Sequence, residues 1–279
     1  MLENIVVYHK AFYSITDGNC VFEKISGINA SGITWSQRLG KLIYCDWQGR
    51  ATQWTPNGRE LHIGKDVRLR SLVVDQYRML MGINEEDDAV VRYTQEGEKR
   101  VLIHSFNGAA LHPKCLAIHS SSYFYVGCES GIYYANPESL AMEKASGQIE
   151  VSPTALCMSA DESTVLFVDS VSGDICLSEF NHDGTLGGRF CRFTWASDFP
   201  KGCATDIKAD TLGNIYCAAP DGLHIYNRGG VRLAVLTLKF PPRLLAVSVD
   251  SLFVSTEDGI YRCPIKINQN RFEGGERLC

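Results

Sequence analysis

Residues Pro113–Gly127, PKCLAIHSSSYFYVG, have the pattern of two short strands joined by a polar turn. An apolar run at 116–118 comes first, three serines interrupt it, and a second run rich in aromatic residues ends at Gly127. Two apolar runs around a short polar segment predict a β-hairpin. Lys114 and Cys115 stand directly before the first strand, so a cation and a thiol lie at the start of a strand that is expected to be buried.

The same pattern occurs six times along the chain. In each copy a four-residue core opens with an apolar residue and ends with a polar one. The cores begin at Ile33, Leu72, Leu116, Leu156, Ile207 and Leu245. They start 38 to 51 residues apart, a spacing typical of the four-stranded blades of a β-propeller.

A third, glycine-led strand follows each hairpin, and weaker fourth strands follow in the first five copies. The sixth copy ends near residue 267 without its fourth strand. Ile5–Val7 or Cys20–Lys24 can supply that strand and close the ring. We therefore predict an all-β, six-bladed propeller with four-stranded blades at 1–267, closed by an N-terminal strand, and a polar tail at 268–279. An open β-sandwich or two stacked β domains would not produce six equal units.

Composition narrows the classes of function. The chain has 279 residues, a formal net charge of −5 and 45% apolar residues, which indicates a globular protein with no reason to bind nucleic acid. No apolar run is long enough to cross a bilayer, and no secretory signal is visible. The 11 cysteines form no zinc-binding spacing, and those in apolar strands are expected to be buried thiols. We expect a cytoplasmic monomer without a membrane partner.

The residues just before each inner strand are expected to face the mouth of the central channel. The position two before each core holds, around the ring, Ser31, Arg70, Lys114, Thr154, Thr205 and Arg243. The next position holds Gly32, Ser71, Cys115, Ala155, Asp206 and Leu244. Three cations at one end of a low-dielectric channel would focus a positive potential there, which favours a carboxylate, phosphate or enolate-like ligand.

From 25 to 265 the repeats resemble the senescence marker protein/regucalcin/gluconolactonase superfamily of six-bladed propellers. The similarity is clearest in LFVDSVSGDICLSEFNHDGTLGGR (166–189) and TDIKADTLGNIYCAAPDGLHIYNRGG (205–230). The resemblance implies hydrolysis of lactones or related esters with one divalent cation, often calcium or zinc, held by one Glu, two Asn and one Asp. Carried over residue by residue, these ligands would fall at Ser31, Lys114, Thr154 and Thr205.

None of these four residues is the family's ligand, and three hydroxyls and an ammonium do not replace oxygen ligands that carry charge. We therefore predict an enzyme without a metal cofactor that acts on an anionic or enolisable metabolite, such as a cyclase, isomerase or condensing enzyme. In this hypothesis Arg70 and Lys114 stabilise negative charge and Asp206 is the general base. Lys114 could instead form a Schiff base. Further candidates for substrate contacts are Ser31, His112, Cys115, Thr154, Thr205 and Arg243.

Two other interpretations remain open at this stage. The first is a lactone or ester hydrolase whose single cation, calcium or zinc, is held by carboxylates at other positions. Candidates are Asp206, Asp46, Asp169 and Glu129, although ordinary turn preference also explains carboxylates after strands. The second is a non-catalytic propeller that binds a ligand or serves as a scaffold, because fold alone does not determine function.

Overall fold

The computed structural model describes residues 1–16, 20–58, 60–94, 96–120, 123–136, 138–187, 190–194, 196–199 and 203–266. Within these ranges it contains 27 strands and two short 3-10 helices, at Lys10–Ser14 and Ala196–Asp198. The strands are β1 Leu2–Val7, β2 Glu23–Ser26, β3 Ala30–Ser36, β4 Lys41–Asp46, β5 Ala51–Trp54, β6 Glu60–Gly64, β7 Arg70–Val74, β8 Leu80–Asn84, β9 Ala89–Tyr93, β10 Lys99–Ile103, β11 Ser105–Phe106, β12 Ala109–Ala110, β13 Pro113–Ile118, β14 Phe124–Cys128, β15 Gly131–Ala135, β16 Met142–Lys144, β17 Pro153–Met158, β18 Thr164–Asp169, β19 Ile175–Glu179, β20 Cys191–Thr194, β21 Asp206–Ala209, β22 Ile215–Ala219, β23 Gly222–Tyr226, β24 Arg232–Leu238, β25 Leu244–Val247, β26 Ser251–Thr256 and β27 Gly259–Pro264.

Six antiparallel sheets are arranged around a central channel. Blades 1 to 5 are β3–β6, β7–β10, β13–β16, β17–β20 and β21–β24, and blade 6 combines β25–β27 with β2. The innermost strands β3, β7, β13, β17, β21 and β25 contact one another in that order, and β25 returns to β3. The predicted six-bladed propeller is therefore confirmed, and each of the six sequence cores forms an inner strand.

The N-terminal segment contributes to two blades. β2 closes the ring by pairing with β27, where Lys24 lies opposite Tyr261. β1 instead adds a fifth strand to blade 5 by pairing with β24, where Val6 lies opposite Val235. Of the two segments considered from the sequence, the second supplies the closing strand and the first extends a neighbouring blade.

The hydrophobic core lies between the blades. One cluster joins Cys157 and Leu166 of blade 4 to Ile207 and Cys217 of blade 5. Alternate side chains of a strand point to opposite faces of its sheet, so each blade packs against both of its neighbours. Cys45, Cys128, Cys157 and Cys217 are buried as expected, whereas Cys176 is only partly buried.

Antiparallel pairing fixes which loops share a face of the ring. The inner strands start at one face, and the turns between the second and third strands of each blade return to it. We call this the entry face. A short hairpin, β11–β12, lies between blades 2 and 3 and was not predicted from the sequence. Its Phe106 packs edge-on against Tyr133 with ring centroids 5.2 Å apart. In the described part of the chain, no helix is long and apolar enough to span a bilayer.

Candidate functional site

The inner strands enclose a cavity of about 350 Å³ at the entry face, with residues from all six blades in its lining. Of the nine residues predicted for the site, the cavity lining includes Ser31, Arg70, Lys114, Cys115, Thr154, Thr205 and Asp206. The lining does not include His112 or Arg243. A repeat position read from the sequence therefore brings seven of the nine residues to one place.

The cavity is positively charged although the chain is acidic. Its lining contains three cations, Arg70, Lys114 and Lys208, against one carboxylate, Asp206, which gives a formal charge of +2. The whole chain has a net charge of −5. A concave, partly desolvated site of this sign raises the local concentration of anions. The electrostatics therefore favour an anionic ligand.

Lys208 was missing from the sequence prediction, although the repeat contains a signal for it. It stands at the second position of the four-residue core, where the other five copies carry Thr, Val, Ala, Cys and Ala. A lysine among small and apolar residues at an inner-strand position is unusual because burial disfavours its charge. Its side chain is 29% exposed, and its ammonium lies 2.6 Å from Asp206 Oδ1.

Each of the other two cations of the lining forms an ion pair with an exposed glutamate outside the lining. Arg70 Nε lies 2.7 Å from Glu85 Oε1, in an orientation too poor for a hydrogen bond. Lys114 Nζ lies 3.2 Å from Glu129 Oε1 and donates to Ser152 Oγ at 3.4 Å. The side chains of Glu85 and Glu129 are 52% and 63% exposed, so both ion pairs are solvated and weak. An anion entering the cavity can compete with these carboxylates for the cations.

Asp206 holds the inner strands of blades 5 and 6 together. Its Oδ2 accepts a hydrogen bond from the backbone N–H of Leu245 at 2.7 Å. Its Oδ1 accepts from the N–H of Ile207 at 2.8 Å and from Lys208 Nζ at 2.6 Å. The residue is only 8% exposed. These bonds hold Asp206 in position beside Lys208, and both of its oxygens already accept hydrogen bonds.

Hydroxyl groups at the entry face also connect neighbouring blades. Ser31 Oγ donates to the carbonyl of Leu69 at 3.0 Å, and Thr205 Oγ1 donates to the carbonyl of Arg243 at 3.1 Å. Thr154 Oγ1 instead donates to Val168 O within its own blade at 3.4 Å. The hydroxyls expected to contact substrate thus have backbone acceptors in the ring itself.

Two thiols line the cavity but are poor nucleophiles. Burial raises the pKa of Cys157 to about 12 and that of Cys115 well above its usual value. Cys115 Sγ also lies 3.5 Å from Pro153 O. Because the thiolate is the reactive form, both thiols are inert near neutral pH.

The two predicted residues outside the lining have partners elsewhere. Arg243 donates from Nη1 to Asn29 Oδ1 at 3.3 Å. The side chain of His112 is 57% exposed and pairs with Asp88 through Nδ1. His112 has a backbone φ of 51°, a left-handed conformation. A turn at His112 thus precedes β13, the strand that carries Lys114, and the His112 side chain pairs with Asp88 of blade 2.

The residues present do not fit the divalent cation that the resemblance implies. At the four aligned positions, Ser31, Thr154 and Thr205 donate to carbonyl oxygens and Lys114 places an ammonium there. A hard cation requires several oxygen ligands, preferably with negative charge. In the described ranges, no group of three His, Cys, Asp or Glu side chains is placed to hold a metal ion.

The carboxylates considered as displaced metal ligands are engaged separately. Asp46 accepts from the backbone N–H groups of Gln48 and Arg50 at 3.0 and 2.8 Å. Asp169 accepts from the N–H and hydroxyl of Ser172 at 3.0 and 2.8 Å. Both are therefore turn residues, the interpretation that ordinary turn preference favours.

Solved structures with a similar fold include a gluconolactonase, a calcium-binding protein and a lyase. A gluconolactonase from Xanthomonas campestris matches with a TM-score of 0.83 and 16% identity, over 94% of this chain and 95% of that one. Regucalcin from Agrobacterium tumefaciens, a calcium-binding protein, matches with a TM-score of 0.69 and 15% identity, over 88% and 95%. A streptogramin B lyase matches with a TM-score of 0.63 and 13% identity, over 89% and 99%.

Comparison of the sequence with protein-family models and with curated proteins gives no match. The structural neighbours nevertheless confirm the resemblance stated from the sequence. The chain has the fold of the gluconolactonase- and regucalcin-like six-bladed propellers.

Proposed function

We propose that the protein is a small-molecule enzyme that binds an anionic or enolisable metabolite in the central cavity and converts it without a metal ion, as a cyclase, isomerase or condensing enzyme. The observation that carries this proposal is the cavity charge of +2, from Arg70, Lys114 and Lys208 against Asp206, in a chain of net charge −5. Gluconolactonase and lyase neighbours support catalysis in this cavity by likeness of fold.

The positions of the charges suggest how a substrate would lie. Arg70 and Lys114 belong to adjacent blades 2 and 3, whereas Asp206 and Lys208 belong to blade 5, across the ring. The guanidinium of Arg70 suits a carboxylate or phosphate because its planar fork can donate two parallel hydrogen bonds. With the anionic group held there, the rest of the substrate reaches toward the Asp206–Lys208 pair.

That pair can perform enolisation. Asp206 takes the proton from a carbon next to a carbonyl group, the C–H electron pair becomes the C=C bond of an enolate, and the π pair of the C=O bond moves to the oxygen. Lys208 stabilises the resulting enolate, because its ammonium then turns from the carboxylic acid to the new oxyanion. In a substrate with a C=C bond conjugated to the enolate, return of the proton from Asp206 to the far end of the conjugated system completes an isomerisation with no net change in atoms or electrons.

A metal-dependent lactonase is not favoured, because the donor set does not fit a divalent cation. A non-catalytic binder of the same anion is the second candidate. The observation that favours it is the commitment of both Asp206 oxygens to Leu245, Ile207 and Lys208, since a base must give up a donor before it accepts a proton. The binding site is the same in both cases, and only the chemistry differs.

The first experiment measures melting temperature with a panel of 2-oxo acids, dicarboxylates and phosphate esters, each in the presence of EDTA, of calcium and of zinc. We expect at least one anion to stabilise the protein in EDTA. R70M, K114M and K208M should each weaken that ligand about tenfold, the range of a charge-assisted hydrogen bond. Lys99→Met is the matched control, because Lys99 forms an ion pair with Asp87 on an outer strand.

Exchange of the ligand's C–H protons with deuterium oxide, followed by NMR, then separates an enzyme from a binder. An enzyme exchanges them, and D206N abolishes the exchange; a binder leaves them unexchanged. Binding that is unchanged in all three cavity variants, or one equivalent of tightly held cation whose removal lowers the melting temperature, would overturn the proposal.

A further inference from the structure

The central cavity is charged at one end and becomes apolar further in. Arg70, Lys114 and Asp206 stand at or next to the start of their inner strands, at the entry face. Three to four residues further along the inner strands, the lining consists largely of apolar residues, namely Val73, Ile118, Met158 and Ala209. Each of these four is only half-buried, and the surface that it leaves exposed lines the channel. The charged group and the apolar part of a ligand are therefore recognised at different depths.

The charge of Lys208 is held at the entry end of the cavity. Its ammonium donates to Asp206 Oδ1 at 2.6 Å and to the carbonyl of Ile207 at 3.1 Å. Both acceptors precede Lys208 in a strand that starts at the entry face, so the side chain turns back toward that face. Thr34, which holds the same core position as Val73, adds a hydroxyl to the deeper lining but no charge.

A second cavity lies at the face opposite the entry face. Its volume is about 300 Å³, and it lies at the far ends of β3, β7 and β13. Thr34, Val73 and Ile118 line both cavities, so the two adjoin at this depth. Beyond these residues the second lining becomes mainly polar and includes Arg38, Asp75, Gln76, His119 and Glu162. We call the stretch around Val73, Ile118, Met158 and Ala209, between these two polar ends, the apolar zone.

The strands set the distance from the cations to the far end of the apolar zone. Lys114 and Ile118 lie four positions apart in β13, and a strand advances about 3.3 Å per residue, which gives about 13 Å. An extended decanoate ion has roughly this length. A ligand whose carboxylate lies at the cations can therefore place an apolar chain of medium length along the whole zone, where its burial is favourable.

We propose that the central cavity takes an amphiphilic anion, a monocarboxylate with a linear apolar chain of medium length. This inference rests on the proposed function and names the substrate class of the same site. The carboxylate pairs with Arg70 and Lys114, and the chain passes Lys208 into the apolar zone. Because apolar burial is non-directional, the chain contributes affinity while the carboxylate fixes the orientation.

Calorimetric titration of the full chain with acetate, butanoate, hexanoate, octanoate, decanoate and dodecanoate tests the proposal. Each methylene group added between butanoate and decanoate should tighten binding about two- to fourfold, the range for its partial to full burial. Dodecanoate should gain little over decanoate, because the end of its chain reaches the polar lining at the opposite face. The neutral alcohol 1-octanol, which has the chain of octanoate without the charge, should bind at least several-fold more weakly.

Variants separate the two ends of the ligand. K114M should weaken every acid by the same factor of about ten, because all of them share the carboxylate. M158Q places an amide in the apolar zone, so it should weaken octanoate about three- to tenfold and leave butanoate within about twofold. M142Q is the matched control, because Met142 is a half-buried methionine on the outer strand β16 and should leave both acids unchanged.

A209L provides a second variant if M158Q melts early. Ala209 is the last residue of β21, and a larger apolar side chain there narrows the zone without adding a polar group. The affinity should then stop rising at a shorter chain than in the wild type.

The outcomes distinguish this inference from the proposed function. If K114M weakens the acids but their affinity does not rise with chain length, the amphiphilic substrate is wrong and the anion site stands. If affinity rises with chain length but K114M, M158Q and A209L all bind as the wild type does, the chain lies elsewhere and the inference is wrong. If neither these acids nor the other anions of the first panel bind, the inference and the proposed function both fail.

Discussion

Asp206→Asn is the substitution that most directly tests how the centre of the ring is held together. Asp206 offers two acceptor oxygens to three donors, and its partner Leu245 is fully buried. Asparagine has the same shape but replaces one acceptor with an NH2 group. That group must face either the Leu245 N–H or both the Ile207 N–H and the Lys208 ammonium, so at least one donor loses its partner.

A buried donor left without a partner costs about 1–3 kcal/mol. The Lys208 ion pair adds at most about 1 kcal/mol, because Lys208 is 29% exposed and solvent screens it. We therefore expect D206N to lower the free energy of unfolding by about 2–3 kcal/mol. For a chain of this size that corresponds to a fall in melting temperature of about 4–6 °C.

Differential scanning calorimetry measures this effect, and urea unfolding checks it by a second route. Lys208→Met is the matched variant, since it removes the ion pair and leaves both backbone bonds to Asp206. It should cost about 1 kcal/mol or less. If D206N melts within about 1 °C of the wild type, or if K208M costs as much as D206N, then the bond between blades 5 and 6 is not the main contribution of Asp206.

Three further results are expected. Glu129→Gln should strengthen binding of the cavity anion up to about fivefold, measured by calorimetry, because it frees Lys114 from an exposed ion pair; weaker binding would contradict the competition between the glutamate and the ligand. Burial lowers the pKa of His224 below its usual 6.5, so the unfolded chain takes up a proton that the folded chain does not, and stability should fall as pH drops below 6.5. Urea unfolding above and below that pH tests this, and His224→Gln should remove that part of the pH dependence. Among the described thiols, the exposed Cys191 and Cys203 should react first with an aromatic disulfide reagent, as mapped by mass spectrometry, and early labelling of the buried thiols would show that the blades open more readily than their packing implies.

The architecture could be predicted because it depends on a short sequence pattern that is repeated along the chain. Each inner strand needs an apolar start and a polar end, and six copies of that pattern specify six blades without any long-range information. Ile33 and Leu116 both lie in inner strands, at β3 and β13. The closing strand was harder to assign because Ile5–Val7 and Cys20–Lys24 have the same pattern, and both pair with blades.

The site could be predicted only in part, because its contacts cross between blades. Ser31 meets the carbonyl of a residue 38 positions away, and Asp206 meets the N–H of a residue 39 positions away. No local sequence pattern indicates these bonds, so the sequence alone does not show that Ser31 and Asp206 also connect neighbouring blades. Glu85 and Glu129 pair with Arg70 and Lys114 through long side chains. Both glutamates lie in turns whose sequence shows nothing unusual, so these ion pairs could not be predicted.

The closing strand also affects how the chain can fold during synthesis. Lys24 of β2 forms an ion pair with Asp258, 234 residues later, and the two lie in the same blade. A ribosome making about 5–20 residues per second would need roughly 10 to 50 seconds to deliver that partner. During this interval the early blades can form, but the ring stays open and both edges of the gap remain available to chaperones. The central cavity can therefore first exist only after blade 6 has been synthesised.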